Sequence, residues 1–183
     1  MSLNIPNVIS FGRLLCVPIA VWLILNQHYL SAFWVLVFAC ISDAADGFIA
    51  TRFKLKTDLG GLLDPIADKT LLVSVFITMG YSELIANWLV ILVVFRDGLI
   101  LCGAFLYNLQ YGRLIVQPLF VSKFNTALQF ILVALILEEL AYGFFSQDVI
   151  TILTYLVGFT TIISGSAYVI KWGRAVFVLE QDK

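Results

Sequence analysis

Charge is scarce in this sequence. Asp, Glu, Lys and Arg make up 13% of the 183 residues against 61% hydrophobic ones, and the mean hydropathy is +1.00. Soluble domains carry roughly twice that share of charge, which excludes an aqueous globular fold. With 11 basic and 12 acidic residues, no basic surplus exists to hold a nucleic-acid backbone. Cysteine is rare too. Cys16, Cys40 and Cys102 are odd in number and scattered through apolar runs, so packing is expected of them rather than disulfide or metal ligation. The single histidine, His28, stands in a polar turn without a partner motif and reads as a solvated surface group. No repeat, linker or low-complexity tract divides the chain, so residues 1–183 read as one membrane domain.

What is abundant is apolar sequence in runs of one length. Spanning ~30 Å of hydrocarbon takes about 20 mostly apolar residues. Six runs fit: Val8–Gln27, Ser31–Thr51, Leu62–Tyr81, Ile85–Tyr107, Leu119–Leu140 and Val149–Trp172. Lipid cannot satisfy open sheet edges, so the spans are expected to be helical and the fold all-α. The aromatics, 14% of the chain, suit interfacial anchoring and lipid-facing bulk.

If the spans alternate, the basic residues fall toward one side. Arg52, Lys54 and Lys56 follow span two, Arg113 and Lys123 lie between spans four and five, and Lys171, Arg174 and Lys183 end the chain. The opposite turns, "NQHYLS", "SELIAN" and "EELAYGFFSQD", hold no Lys or Arg. The positive-inside rule then places both termini in the cytoplasm. Arg13 precedes an apolar run without a small-residue cleavage site, so the first run reads as an uncleaved helix rather than a secretory signal.

Against this background the stretch "SDAADGFIATRFKLKTDLGGLLDPIADK" is anomalous. Asp43 and Asp46 are three apart at the cytoplasmic end of span two, and Asp64 and Asp68 four apart at the cytoplasmic start of span three, so each pair shares a helical face. A short loop makes these spans antiparallel neighbours. Four converging carboxylates would repel one another unless cations neutralised them. An all-oxygen set suits Mg²⁺ or Mn²⁺, and two such ions balance four charges. Gly47, Ala50, Gly60 and Gly61 keep bulk away from the same stretch, as close ligand approach or close helix packing requires.

The spacing resembles the signature of the CDP-alcohol phosphatidyltransferases, D-x2-D-G-x2-A-R-x8-G-x3-D-x3-D, matched by Asp43, Asp46, Gly47, Ala50, Gly60, Asp64 and Asp68. One position departs: Thr51 stands where the family has Arg, and Arg52 follows it. The resemblance extends to "NIPNVISFGRLL", where Asn7 and Ser10 match residues near the donor's diphosphate, and to Thr57 in the loop. It implies an enzyme that transfers a phosphatidyl group from CDP-diacylglycerol to an alcohol and releases CMP. It further implies that Asn7, Ser10, Gly47, Ala50, Thr51, Arg52, Thr57 and Gly60 line the donor site. Asp43, Asp46, Asp64 and Asp68 become metal ligands, with Asp68 also the catalytic base. Lys69 reads equally as a phosphate contact or a lysine reaching to the interface. A homodimer is implied as well, in a bacterial inner membrane or its mitochondrial equivalent, with the site facing the cytoplasm.

The acceptor has two readings: glycerol-3-phosphate, or phosphatidylglycerol to give cardiolipin. Synthases using the former show an Arg-Glu pair and a Gly-Lys-x-Lys-Thr box, whereas this chain has Arg96-Asp97 and Ser122-Lys123-Phe124-Asn125-Thr126. Asn125 in place of the second Lys removes one positive charge, as a singly charged phosphodiester permits. That pattern resembles eukaryotic-type cardiolipin synthases and makes Arg96, Lys123 and Asn125 the acceptor contacts. Adjacent helical residues point about 100° apart, so an Arg96–Asp97 pair is not expected, which leaves Arg96 for an anion. A six-helix transporter is the reading from another class, but neither broken helices nor repeated halves are visible.

Overall fold

The three-dimensional structure is a computed structural model that describes residues 5–53, 58–111 and 119–181, with side chains over 12–42, 69–103 and 119–172. Helices follow one another in the order α1 (Ile5–Leu25), α2 (Tyr29–Phe53), α3 (Asp58–Tyr81), α4 (Asn87–Tyr111), α5 (Phe120–Tyr142) and α6 (Gln147–Gln181). No strand occurs among the described residues. Each helix overlaps one expected run, with two extensions of note. Helix α3 begins at Asp58, one turn ahead of Leu62, so Gly60 and Gly61 lie within it, and α6 continues beyond Trp172. Among the described residues, Phe120–Tyr142 and Gln147–Trp172 are long and apolar enough to cross a membrane. Shorter apolar stretches cover Gly12–Leu25, Tyr29–Ser42 and Lys69–Tyr81, the last two bordering the aspartates.

Three turns are closed by backbone chemistry that their composition conceals. After α1, His28 N–H donates to Leu23 C=O at 2.9 Å and Gln27 N–H to Ile24 C=O at 3.0 Å. After α3, Leu84 N–H reaches Met79 C=O at 2.8 Å and Glu83 N–H reaches Gly80 C=O at 3.0 Å. Both are Schellman caps, and they put Gln27 and Glu83 at φ of 60° and 58°, a left-handed conformation usually given to glycine. After α5, Gly143 takes that role at φ 72°, with its N–H on Glu139 C=O at 2.9 Å.

The chain forms two compact units. Unit 1 comprises Met1–Ala86 and Val133–Ser146, and unit 2 comprises Asn87–Leu132 and Gln147–Lys183. In unit 1, α1 packs along both α2 and α3. Its interior is mostly apolar, with Ile24, Leu36, Leu71, Leu72, Phe76 and Met79 each under 5% exposed.

Unit 2 pairs α4 with α6. Trp88 packs over Gly158, Arg96 bonds Ser164, and Trp172 covers Gly103, so contacts advance together along both helices and the two run parallel. Helix α5 runs the other way against α6: Leu119 meets Tyr168, Ser122 and Ser164 share Arg96, and Asn125 meets Thr160 and Thr161. This interior sets a cluster of polar groups beside Leu89, Val93, Leu132 and Val157. Arg96, Asp97, Asn125, Gln129, Thr161 and Ser164 are all at most 2% exposed, while Ile91, Phe95 and Phe159 are more than 60% exposed. Bulky apolar groups outside and polar ones within is the order that lipid imposes on a bundle.

None of the three cysteines forms a disulfide, and Cys40 and Cys102 lie on exposed faces. His28 is exposed, its ring 5.9 Å from that of Trp22.

Candidate active site

The aspartate motif lies on two helices of unit 1, α2 carrying Asp43 and Asp46 and α3 carrying Asp64 and Asp68. The backbone is helical through all four, so the spacings of three and four residues become single turns, as the motif requires. The helices also carry Gly47, Ala50, Thr51, Arg52 and Gly60, and α1 carries Asn7 and Ser10. The side chains of all these residues lie outside the described set, and Thr57 lies outside the described residues altogether. Lys69, the next residue after the motif, is partly buried.

The donor set fits a divalent metal: four carboxylates supply only hard oxygen ligands. Among the described side chains no group of three or more His, Cys, Asp or Glu comes together, so none of them rivals the motif. Helix α1 adds a cation that sequence reading passed over as a possible signal-peptide charge. Arg13 is 3% exposed, on the helix that packs against both aspartate-bearing helices. The available signal was an arginine inside an apolar span, which is functional by default.

In unit 2 the structure draws together residues that the sequence scattered over three helices. Arg96 Nη1 donates to Asp97 Oδ1 at 2.5 Å, which corrects the expectation that these neighbours stay apart. Their Cβ directions diverge, but the arginine stem is long enough to fold its guanidinium back across that angle. Arg96 Nη2 donates to Ser122 Oγ at 2.5 Å and to Ser164 Oγ at 2.6 Å, and Nε also reaches Ser164 Oγ at 3.2 Å. Four of its five N–H groups are therefore engaged.

The box at the start of α5 divides in two. Lys123 is exposed, whereas Asn125 is fully buried. Asn125 Oδ1 accepts from Thr160 Oγ1 at 2.8 Å and Thr161 Oγ1 at 3.0 Å, leaving only its Nδ2 without a partner. One turn on, Gln129 is also fully buried, with both amide atoms unpartnered. Sequence reading missed Gln129, Ser164 and the two threonines, because single polar residues in an apolar run resemble ordinary helix filler. Beside Arg96, a groove of about 450 Å³ runs between α4 and α6, lined by Leu92, Phe95, Leu99, Ile162 and Val169.

Known proteins resemble this chain in sequence. A family model described as CDP-alcohol phosphatidyltransferase matches residues 3–166. A chloroplastic CDP-diacylglycerol–glycerol-3-phosphate 3-phosphatidyltransferase of Oryza sativa is 40% identical over 93% of this chain and 57% of its own length. Cardiolipin synthases (CMP-forming) of Rattus norvegicus and Homo sapiens are 32% and 31% identical, over 90% and 98% of this chain and 60% and 64% of their own. The chain thus spans roughly three fifths of the length of these relatives. The match to the family model takes in α1 to α5, most of α6 and both aspartate pairs, and by it the chain belongs to the CDP-alcohol phosphatidyltransferases.

Proposed function

We propose that this protein is a cardiolipin synthase that transfers the phosphatidyl group of CDP-diacylglycerol to phosphatidylglycerol. A terminal glycerol hydroxyl attacks the β-phosphorus of the donor, the bond to the CMP oxygen breaks, and Asp68 takes the hydroxyl proton. Asp43, Asp46, Asp64 and Asp68 would hold two divalent ions, Mg²⁺ or Mn²⁺, which when bound would supply positive charge to the phosphoryl oxygens and the leaving CMP. Asn7, Ser10, Gly47, Ala50, Thr51, Arg52, Thr57 and Gly60 bind the donor, with Arg52 standing in for the family arginine and Arg13 adding buried positive charge. Arg96, Lys123 and Asn125 serve the acceptor. The protein works as a homodimer with six spans and cytoplasmic termini, in a bacterial inner membrane or its mitochondrial equivalent. The parallel course of α4 and α6 is what alternating spans require of two even-numbered helices.

The observation that carries the acceptor reading is Asn125, fully buried and neutral at the place where synthases using glycerol-3-phosphate carry a second Lys. Beside it Arg96 is ion-paired with Asp97, and Asn125 adds no positive charge. A phosphomonoester dianion needs more compensation than that, and a phosphodiester monoanion needs less. The groove beside Arg96 suits an acyl chain and so a lipid acceptor. Glycerol-3-phosphate is the second reading, favoured by the Oryza sativa relative. Purified protein given CDP-diacylglycerol and a divalent ion should release CMP with phosphatidylglycerol and little with glycerol-3-phosphate. Absence of CMP release with either acceptor would remove the enzyme reading and favour a transporter or scaffold.

A further inference from the structure

Ser122 and Ser164 are used by the protein in one direction only. Both oxygens accept from Arg96, and neither hydroxyl donates to any group among the described residues. Other hydroxyls of this chain do otherwise. Ser42, Thr78, Thr126, Thr151 and Thr154 each give their proton to the carbonyl one turn back, the usual sink inside a membrane helix. Ser164 has the Thr160 carbonyl at that position and makes no hydrogen bond to it, although it is 0% exposed. Buried O–H groups without an acceptor are rare, because desolvation is then uncompensated.

The local chemistry states what would complete the site. Two serine protons and the fifth Arg96 N–H are all donors. Asp97 Oδ1 is held in the ion pair. A donation from a guanidinium into each Oγ also polarises its O–H outward and makes it a stronger donor. These donors, around a cation paired with Asp97, complement a group whose oxygens accept and which carries a single negative charge. Ser122 lies in the first turn of α5, so the site opens at a helix start rather than midway along a span.

We propose that Ser122 and Ser164 are phosphate contacts of the acceptor, each donating its hydroxyl proton to a non-bridging oxygen, with Arg96 behind them as a positioning residue. The assignment rests on the acceptor reading above, which makes that phosphate the diester of phosphatidylglycerol. Arg96 acts chiefly through the serines, since its own donors are nearly all spent. This differs from direct capture of the acceptor by the arginine and shifts the specificity-bearing atoms onto α5 and α6.

The test uses the full chain in mixed micelles, with the mole fraction of each lipid varied separately. Ser164→Ala and Ser122→Ala should each raise the KM for phosphatidylglycerol by roughly tenfold or more, the effect of losing a hydrogen bond to a charged group. The KM for CDP-diacylglycerol should stay within twofold, and Ser164→Thr should recover most of the loss. If Ser164→Ala does not fold, Ser122→Ala, at a partly exposed helix start, gives the same reading. An acceptor KM within twofold of the unmodified protein in the folded variants overturns the proposal. So does an equal rise for both substrates, which a merely structural serine would cause. A separate arm uses glycerol-3-phosphate. If the unmodified chain makes phosphatidylglycerophosphate and the serine variants raise the KM for that acceptor, the serine contacts stand and the phosphatidylglycerol reading falls.

Discussion

The indole of Trp172 occupies the space over Gly103 that any side chain at residue 103 would need. One turn of α4 is thereby joined to the turn of α6 around Trp172, and Trp88 over Gly158 repeats the device toward the other end, where an added Cβ would meet the ring at 2.7 Å. Close approach at glycine is how lipid-embedded helices gain contact without a hydrophobic driving force. Gly103→Val should therefore lower thermal stability in detergent by about 1–3 kcal/mol, the range for overpacking. Gly98→Ala is the control: nothing lies within 4 Å of a Cβ there, so it should be neutral or slightly stabilising. Equal melting temperatures for Gly103→Val and Gly98→Ala would show that the ring yields freely.

Asn125 should matter less to stability than its complete burial suggests. The hydroxyls that it accepts are not orphaned by its loss, because Thr160 also bonds Leu156 C=O at 3.0 Å and Thr161 bonds Val157 C=O at 2.7 Å. Asn125→Ala should cost about 1 kcal/mol in denaturation of the purified protein, near the value for one net interhelical hydrogen bond. A loss several times larger would mean that Asn125 Nδ2 has a structural partner.

How much of this was legible beforehand follows from where the energy lies. The six helices were readable because long apolar runs leave a direct imprint on sequence. The aspartate motif was readable for the opposite reason, as charge in that setting is costly and stands out. The Arg96–Asp97 pair was misread because side-chain direction was inferred from Cβ geometry, which says little about a flexible four-bond stem. Ser164 was invisible, since a serine that accepts from an arginine 68 residues away looks the same in sequence as one bonded to its own helix. The caps at Gln27 and Glu83 were equally hidden, because neither residue advertises a left-handed conformation.

Asp68 is assigned a proton-transfer role, which separates binding from chemistry. Asp68→Asn should slow turnover by about 10²–10⁴-fold, the usual share of a general base. Donor binding, followed by displacement of a labelled CDP-diacylglycerol, should stay nearly unchanged. Parallel loss of both would make Asp68 mainly a ligand or a structural group.

Chelation tests the metal set independently. Removing divalent ions should abolish CMP release, and adding back Mg²⁺ or Mn²⁺ should restore it. Asp64→Ala should bind fewer divalent ions while remaining folded, because loss of one carboxylate also relieves repulsion in the cluster. Full turnover of Asp64→Ala in chelator would end the metal hypothesis.

Product identity tests the central claim most directly. The unmodified protein is given CDP-diacylglycerol, a divalent ion, and phosphatidylglycerol and glycerol-3-phosphate together, and the lipids formed are resolved by mass spectrometry. Cardiolipin should dominate, because the neutral, buried Asn125 leaves the acceptor region one positive charge short of what a dianion needs. Phosphatidylglycerophosphate as the main product would contradict the account and place this chain with the glycerol-3-phosphate synthases.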